Sequence, residues 1–95
     1  MKARDCTGID YYMRAAEVDE LQRLAGLLPT HPVIVNIGAG LGTSAAAFLE
    51  ARPDALVFSV DKDACPEEAA LLTRLGLPVA SCIRQQGRSD DIGRT

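Results

Sequence analysis

A chain of 95 residues, with 47% apolar and 24% charged residues, is long enough for one ordinary globular domain and excludes a multidomain architecture. The formal charge of -3 leaves no excess of basic residues. We therefore expect no binding to nucleic-acid backbones, which depends on many lysine and arginine contacts.

The three cysteines, Cys6, Cys65 and Cys82, are far apart in the sequence and form no CxxC pair. An odd number of dispersed cysteines argues against a disulfide framework and is typical of thiols in a reducing compartment. No apolar run approaches the ~20 residues that a membrane-spanning helix needs. The first ten residues also lack the apolar core of a secretory signal. The sequence therefore predicts a cytoplasmic protein without a membrane partner.

Apolar residues at helical spacing predict a first helix that ends near Pro29. Asp19 and Arg23 lie one turn apart on its other side and are expected to pair. The apolar positions of this helix are Val18, Leu21, Leu24, Ala25 and Leu28.

Three apolar segments that follow predict strands near 33–37, 55–60 and 79–86. The first, VIVNI, is apolar almost throughout rather than alternating, which is typical of a parallel strand covered on both faces. The segment TSAAAFLEA predicts a helix between the first two strands.

The segment CPEEAALLTRLG predicts a further helix between the second and third strands. Pro66 stands at its first position, and Glu67 and Glu68 lie in the first turn, where the helix dipole favours negative charge. Gly76 is placed to end the helix.

Alternating strands and helices predict an α/β fold: a Rossmann-like, partial doubly wound parallel sheet with flanking helices, forming a single domain over residues 1–95. The doubly wound order places the three strands as 3-2-1, so VIVNI becomes an unpaired edge. An apolar, unpaired edge favours association. We therefore expect that the chain self-associates through this strand or needs a C-terminal partner to be stable.

Three alternating glycines, Gly38, Gly40 and Gly42, lie between the first strand and its helix in VIVNIGAGLGTSAAAF. Glycine tolerates unusual backbone angles and lets a ligand approach the backbone, although glycines can also serve only to make a tight turn. Asp61 follows the second strand, where a carboxylate can accept hydrogen bonds from both hydroxyls of a ribose. The alternative is a helix-capping or solvated aspartate, which is the expected role of Asp63. Together these features indicate a nucleoside ligand.

The spacing of the glycines separates two classes of nucleoside-binding protein. The dinucleotide fingerprint G-x-G-x-x-G requires glycine at position 43, where this chain has Thr43. The pattern G-x-G-x-G in VNIGAGLGTS, followed by FSVDKD, resembles the first two motifs of the class I methyltransferases that use S-adenosylmethionine. Within that superfamily the chain is most similar to the catechol O-methyltransferase-like branch.

The resemblance implies S-adenosylmethionine as the cofactor and gives individual residues a role. Ser44 would hold the methionine carboxylate, and Asn36 would accept a hydrogen bond from the methionine ammonium through its amide oxygen, without the charge of the carboxylate found in many relatives. Ser89 and Asp90 would lie near the adenine. The full set of implied cofactor-binding residues is Asn36, Gly38, Ala39, Gly40, Gly42, Ser44, Asp61, Lys62, Ser89 and Asp90.

The resemblance extends from about Glu17 to Ile92, and the chain stops at Thr95, before any fourth strand. In the family, the methyl acceptor, any metal and the catalytic base are handled largely from that strand onward. We therefore expect the cofactor-binding half of a methyltransferase domain, inactive by itself, with an unidentified acceptor and no metal site of its own. Two alternatives stay open: an oxidoreductase domain that binds an NAD-type dinucleotide, and a non-catalytic nucleoside-binding module.

Overall fold

A computed structural model of the protein describes residues 2–8, 13–37, 42–61 and 66–86. Within these ranges, strands and helices alternate as expected, and the predicted α/β fold is confirmed. The third strand is shorter than predicted, because residues 79–81 form a 3-10 turn in which the Ser81 amide donates to the Pro78 carbonyl oxygen (3.0 Å). The elements are a 3-10 turn Ala3–Asp5, α1 Ala15–Gly26, β1 Val33–Ile37, α2 Thr43–Ala51, β2 Leu56–Asp61, α3 Pro66–Arg74, a 3-10 turn Val79–Ser81 and β3 Cys82–Gln86.

The three strands form one parallel sheet in the order β1-β2-β3, which is the predicted order. Strand β2 is central, and among the described residues β1 pairs with β2 alone. Both crossovers step in the same direction along the sheet. Because such crossovers are right-handed, they place α2 and α3 on the same face of the sheet.

That face, which we call the covered face, contains the core. Strand β1 contributes Ile34 and Asn36, β2 contributes Val57 and Ser59, and β3 contributes Cys82. Small residues of α2 let this helix lie close to the sheet, since alanine adds little bulk. The buried helical residues of the core are Val18, Ala45, Ala46, Ala47, Leu49, Leu71 and Leu72.

The opposite face, which we call the open face, exposes apolar side chains. Val33, Val35 and Ile37 are each about two-thirds exposed. Val35 is in register with Phe58 of β2, which in turn is in register with Ile83 of β3, so these three side chains form one row. The expectation that β1 is covered on both faces was therefore wrong for one face, because both crossover helices lie on the other.

Helix α1 has the expected position but a narrower buried stripe than its sequence suggested. Val18 and Ala25 are buried, whereas Leu24 and Leu28 are substantially exposed. The predicted Asp19–Arg23 pair is absent. Arg23 instead pairs with Glu20 (2.6 Å), and Asp19 pairs with Arg4 (3.1 Å), because the N-terminal segment lies across α1.

The N-terminal segment, for which the sequence predicted no structure, is part of the domain. Ala3 and Cys6 are buried, and the backbone amide of Ala3 donates to Glu50 of α2 (2.8 Å). The Thr43 hydroxyl donates to the carbonyl oxygen of Cys6 (2.9 Å). These contacts hold the segment against the beginning and the end of α2.

Helix α3 begins at Pro66 and ends before Gly76, as predicted. Gly76 has a φ of 72°, which favours glycine, and the amide of Leu77 donates to the carbonyl oxygen of Leu72 (2.9 Å). This is the Schellman arrangement that satisfies carbonyl groups at a helix end.

Among the helices that the structure describes, none combines the length and hydrophobicity that crossing a bilayer would require.

Candidate nucleoside-binding site

The candidate site lies where β1 and β2 end and α2 begins. Ligands of open parallel sheets bind at the carboxyl ends of the strands, the edge to which the sequence assigned the ten predicted cofactor-binding residues. Four of these residues are described: Asn36, Gly42, Ser44 and Asp61. The others lie outside the described residues: Gly38, Ala39, Gly40, Lys62, Ser89 and Asp90.

Two residues that the resemblance assigns to the methionine end of the cofactor are in direct contact. The Ser44 hydroxyl donates to Asn36 Oδ1 (3.1 Å). The amide nitrogen of Asn36 in turn donates to the hydroxyl oxygen of Ser59 (3.2 Å). Asn36 is buried on the covered face, and its carbonyl oxygen can accept one further hydrogen bond.

Asp61 is the last residue of β2 and is half-buried. Side chains alternate along a strand, so Asp61 lies on the same face of the sheet as Ser59, two residues earlier. Ser59 is in register with Asn36 and bonded to it. Asp61 and the Asn36–Ser44 pair therefore belong to one face and to neighbouring strand ends.

Gly42 precedes α2 with a φ of 96°, in the left-handed region that favours glycine. A Cβ atom at this position would lie 2.7 Å from the backbone Cα of Glu68 in α3. No real Cβ tolerates so close an approach to backbone. The contact between α2 and α3 therefore requires glycine here, independently of the ligand approach that the sequence suggested.

A buried row of polar groups continues from Asn36 across the sheet and was not foreseen from the sequence. Ser59 Oγ lies 3.6 Å from Cys82 Sγ, and the Cys82 thiol donates to Glu68 Oε1 (3.5 Å). Ser59, Cys82 and Glu68 are all buried. We call Ser44, Asn36, Ser59, Cys82 and Glu68 the polar network.

Two sequence signals could have revealed part of the network. Ser59 is a polar residue at an inward position of an otherwise apolar strand. Glu68 precedes Leu71 and Leu72 by three and four residues, so all three share one face of α3. Both glutamates were instead assigned only a role in the helix dipole; Glu67 is exposed, whereas Glu68 is fully buried.

The electrostatic environment keeps the central thiol of the network protonated. Burial, and to a smaller extent the neighbouring charge of Glu68, raise the pKa of Cys82 to about 11, although the hydrogen bond with Ser59 opposes this shift. The thiol therefore retains its hydrogen at neutral pH and can donate it.

Within the described ranges, no group of three or more histidine, cysteine, aspartate or glutamate side chains is arranged to hold a metal ion.

The fold is that of the class I S-adenosylmethionine-dependent methyltransferases. Precorrin-6y C5,15-methyltransferase from Geobacter metallireducens GS-15 superposes with a TM-score of 0.69 at 12% identity, over 88% of this chain and 44% of that one. Mitomycin 7-O-methyltransferase MmcR superposes with a TM-score of 0.57 at 26% identity, over 78% of this chain and 22% of that one.

In sequence, the chain is similar to ribosomal RNA small subunit methyltransferase H of Corynebacterium urealyticum. The two are 39% identical over an alignment of 82 residues, and the match covers 84% of this chain and 22% of the relative. The chain thus spans about a fifth of the length of this relative. No family model matches the sequence.

Proposed function

We propose that the chain binds S-adenosylmethionine at the carboxyl ends of β1 and β2 and forms the cofactor-binding part of a methyltransferase. The observation that carries the proposal is the contact between Asn36 and Ser44, with Asp61 at the neighbouring strand end. A donor–acceptor pair of this kind can meet both charged groups of an amino acid, while the carboxylate of Asp61 suits a ribose. The similarity to methyltransferases supports this reading over a dinucleotide site.

Each residue has a proposed contact. Asp61 accepts hydrogen bonds from the ribose hydroxyls, and Asn36 accepts from the ammonium. Ser44 binds the methionine carboxylate beside the start of α2, and its one hydroxyl hydrogen then passes from Asn36 Oδ1 to that carboxylate. The other residues that we propose contact the cofactor follow the same resemblance. They are Gly38, Ala39, Gly40 and Gly42, whose backbone the ligand would approach, Lys62, and, near the adenine, Ser89 and Asp90.

The chemistry that the bound cofactor supplies is an activated methyl group on a sulfonium. The residues of this chain would bind and orient that group, since alignment of nucleophile and leaving group is the main contribution of a protein to such a displacement. The assignment to the catechol O-methyltransferase-like branch, the cytoplasmic location and the division into a cofactor-binding half and a separate acceptor half stay predictions. So does the absence of nucleic-acid backbone binding, since one relative is named for its action on ribosomal RNA.

Calorimetric titration of the chain with S-adenosylmethionine, S-adenosylhomocysteine and NAD tests the proposal. We expect both adenosyl ligands to bind and NAD not to bind. Asp61→Ala should weaken binding by about 1.5–3 kcal/mol, the value of hydrogen bonds to a charged acceptor. Gly40→Val should abolish it by blocking the approach of the ligand to the backbone.

Asp63→Ala is the matched control, because it removes a nearby carboxylate for which we expect no ribose contact. Binding of NAD alone would replace the methyltransferase proposal with that of a dinucleotide-binding domain. Adenosyl binding by a chain that methylates nothing, even when joined to an acceptor-binding segment, would indicate a nucleoside-binding module.

A further inference from the structure

We infer that Glu68 is a positioning residue for the proposed site. It fixes the side-chain amide of Asn36 so that the oxygen, and not the nitrogen, faces Ser44 and the start of α2. The part of this inference that concerns a ligand rests on the proposed function.

Glu68 lies in the first turn of α3, fully buried, with its backbone against Gly42. Its Oε1 atom accepts from the Cys82 thiol (3.5 Å), while Oε2 has no hydrogen-bond partner among the described residues. A carboxylate accepts hydrogen bonds and cannot donate them. Among the described residues, Glu68 therefore ends the polar network with an acceptor whose single donor is the thiol of Cys82.

This acceptor sets the direction of every hydrogen bond in the network. The thiol has one hydrogen and gives it to Glu68, so the Ser59 hydroxyl must be the donor between Ser59 and Cys82. The oxygen of Ser59 then accepts from the amide nitrogen of Asn36. The amide oxygen of Asn36 is left facing Ser44, whose hydroxyl donates to it.

The reversed amide would cost the network one hydrogen bond. With the amide oxygen of Asn36 toward Ser59, the Ser59 hydroxyl would donate to Asn36, and one thiol hydrogen would have to serve both Ser59 and Glu68. Either the Ser59–Cys82 contact or the Cys82–Glu68 contact would lose its hydrogen. Without an acceptor at position 68 the two directions contain the same number of hydrogen bonds, so Glu68 is the group that distinguishes them.

The orientation matters for the ligand. An amide oxygen at this position is an acceptor for a cationic ammonium, whereas an amide nitrogen would present a donor to it. Glu68, acting through Cys82 and Ser59, thus selects for nucleosides that carry an α-amino acid over those that lack one. Helix α2 and strand β2 separate Glu68 from Asn36 in the sequence, and only the packing of α3 beside α2 brings Glu68 under the site.

Side-chain amide signals of Asn36 in nuclear magnetic resonance spectra of the full chain test the orientation without any ligand. Glu68→Gln keeps a carbonyl acceptor and should retain the single wild-type pair of signals. Glu68→Leu has a similar volume but no acceptor, and should show loss of that pair, with a shifted or second pair in its place. A wild-type pair that persists unchanged in Glu68→Leu would overturn the inference.

Ligand affinity tests the consequence for selectivity. Glu68→Leu should weaken S-adenosylhomocysteine by about twofold, because equal populations of the two amide directions leave half of the molecules with the oxygen toward Ser44, and should leave the affinity for 5′-methylthioadenosine, which lacks the amino acid, unchanged. Cys82→Ala, which interrupts the network without altering Glu68, should do the same. Cys82→Ser, which keeps a donor and an acceptor, should preserve both affinities.

Equal losses for the two nucleosides would show that Glu68 only supports the fold and would overturn the inference. Failure of the wild-type chain to bind either nucleoside would instead refute the proposed function. The amide signals of Asn36 would in that case still decide whether Glu68 fixes the amide.

Discussion

The covered and open faces of the sheet carry similar side chains but have different surroundings. On the covered face Val57 is fully buried beneath helices, whereas on the open face Val35 of the neighbouring strand is about two-thirds exposed. Both are valines in parallel strands; Val57 lies in the central strand β2, and Val35 lies in β1, which among the described residues pairs with β2 alone. Apolar composition therefore identifies a strand but does not say which of its faces is buried. Among the described elements, the handedness of the crossovers decides that face, because it places α2 and α3 on one side of the sheet.

The largest expected effect is at the tightest contact on the covered side. Gly42→Ala should reduce the free energy of unfolding by about 2–5 kcal/mol, because it combines a left-handed backbone angle with a Cβ atom that meets α3. Gly76→Ala is the control, since Gly76 has a similar φ of 72° and nothing within 4 Å of the added Cβ. It should cost only about 1–2 kcal/mol, measured by urea denaturation. Equal costs for the two variants would show that packing against α3 contributes nothing.

A matched pair of valines compares the faces directly. Val57→Ala should cost about 1.5–3 kcal/mol of unfolding free energy through lost burial and the cavity left behind. Val35→Ala should cost less than about 1 kcal/mol, the range of strand propensity, because its methyl groups are already largely in water. The measurement is chemical denaturation at low protein concentration. Similar costs would mean that the open face is covered in solution.

The next prediction compares a lysine substitution on the open face with one outside the sheet, to test whether a second molecule covers the open face. We expect wild-type chain to self-associate at micromolar concentration through β1, and Val35→Lys to weaken the association at least tenfold, or about 1.4 kcal/mol. Leu27→Lys, at an equally exposed apolar position outside the sheet, should have no such effect. Sedimentation velocity distinguishes the species, and a monomeric wild-type chain would contradict the expectation.

The smallest expected effect concerns Asp54, which pairs with Arg52 at the end of α2. Arg52 also donates to the carbonyl oxygen of Ala25 in α1. Two hydrogen bonds from Arg52, and a third from the backbone amide of His31, hold the pKa of Asp54 well below its ordinary value. A lowered pKa in the folded state stabilises the protein above the unfolded value of about 3.9, and this contribution is lost as the pH falls below it. Asp54→Asn should therefore show a weaker decline of melting temperature with acid than wild type. Identical declines would show that Asp54 makes no such contribution.

The sequence predicted the elements well because their signals are local. Helix α3 begins at Pro66 and ends before Gly76 because of the backbone preferences of those two residues, which act within one or two turns. The strand order also follows from the alternation of strands and helices. The prediction that Asp19 pairs with Arg23 was wrong because Asp19 instead pairs with Arg4, which is distant in the sequence.

The candidate site was partly predictable for the same reason. Asn36, Gly42 and Ser44 lie within nine residues of one another, so a short motif could specify them. From the sequence, Gly42 was expected to allow an unusual backbone angle and the approach of a ligand. A further reason for glycine, its contact with Glu68, depends on two helices that are separated by a strand.

Order along the chain and local backbone preferences determined the parallel sheet, the helix ends and the left-handed glycine, Gly42, before α2. Only the tertiary structure decided that one face of β1 is open and that Glu68 lies buried behind Asn36. The physical reason is that burial and hydrogen-bond direction depend on which elements pack together. Glu68 faces Cys82 because α3 packs on the same face as α2, a contact that no single segment of the sequence specifies.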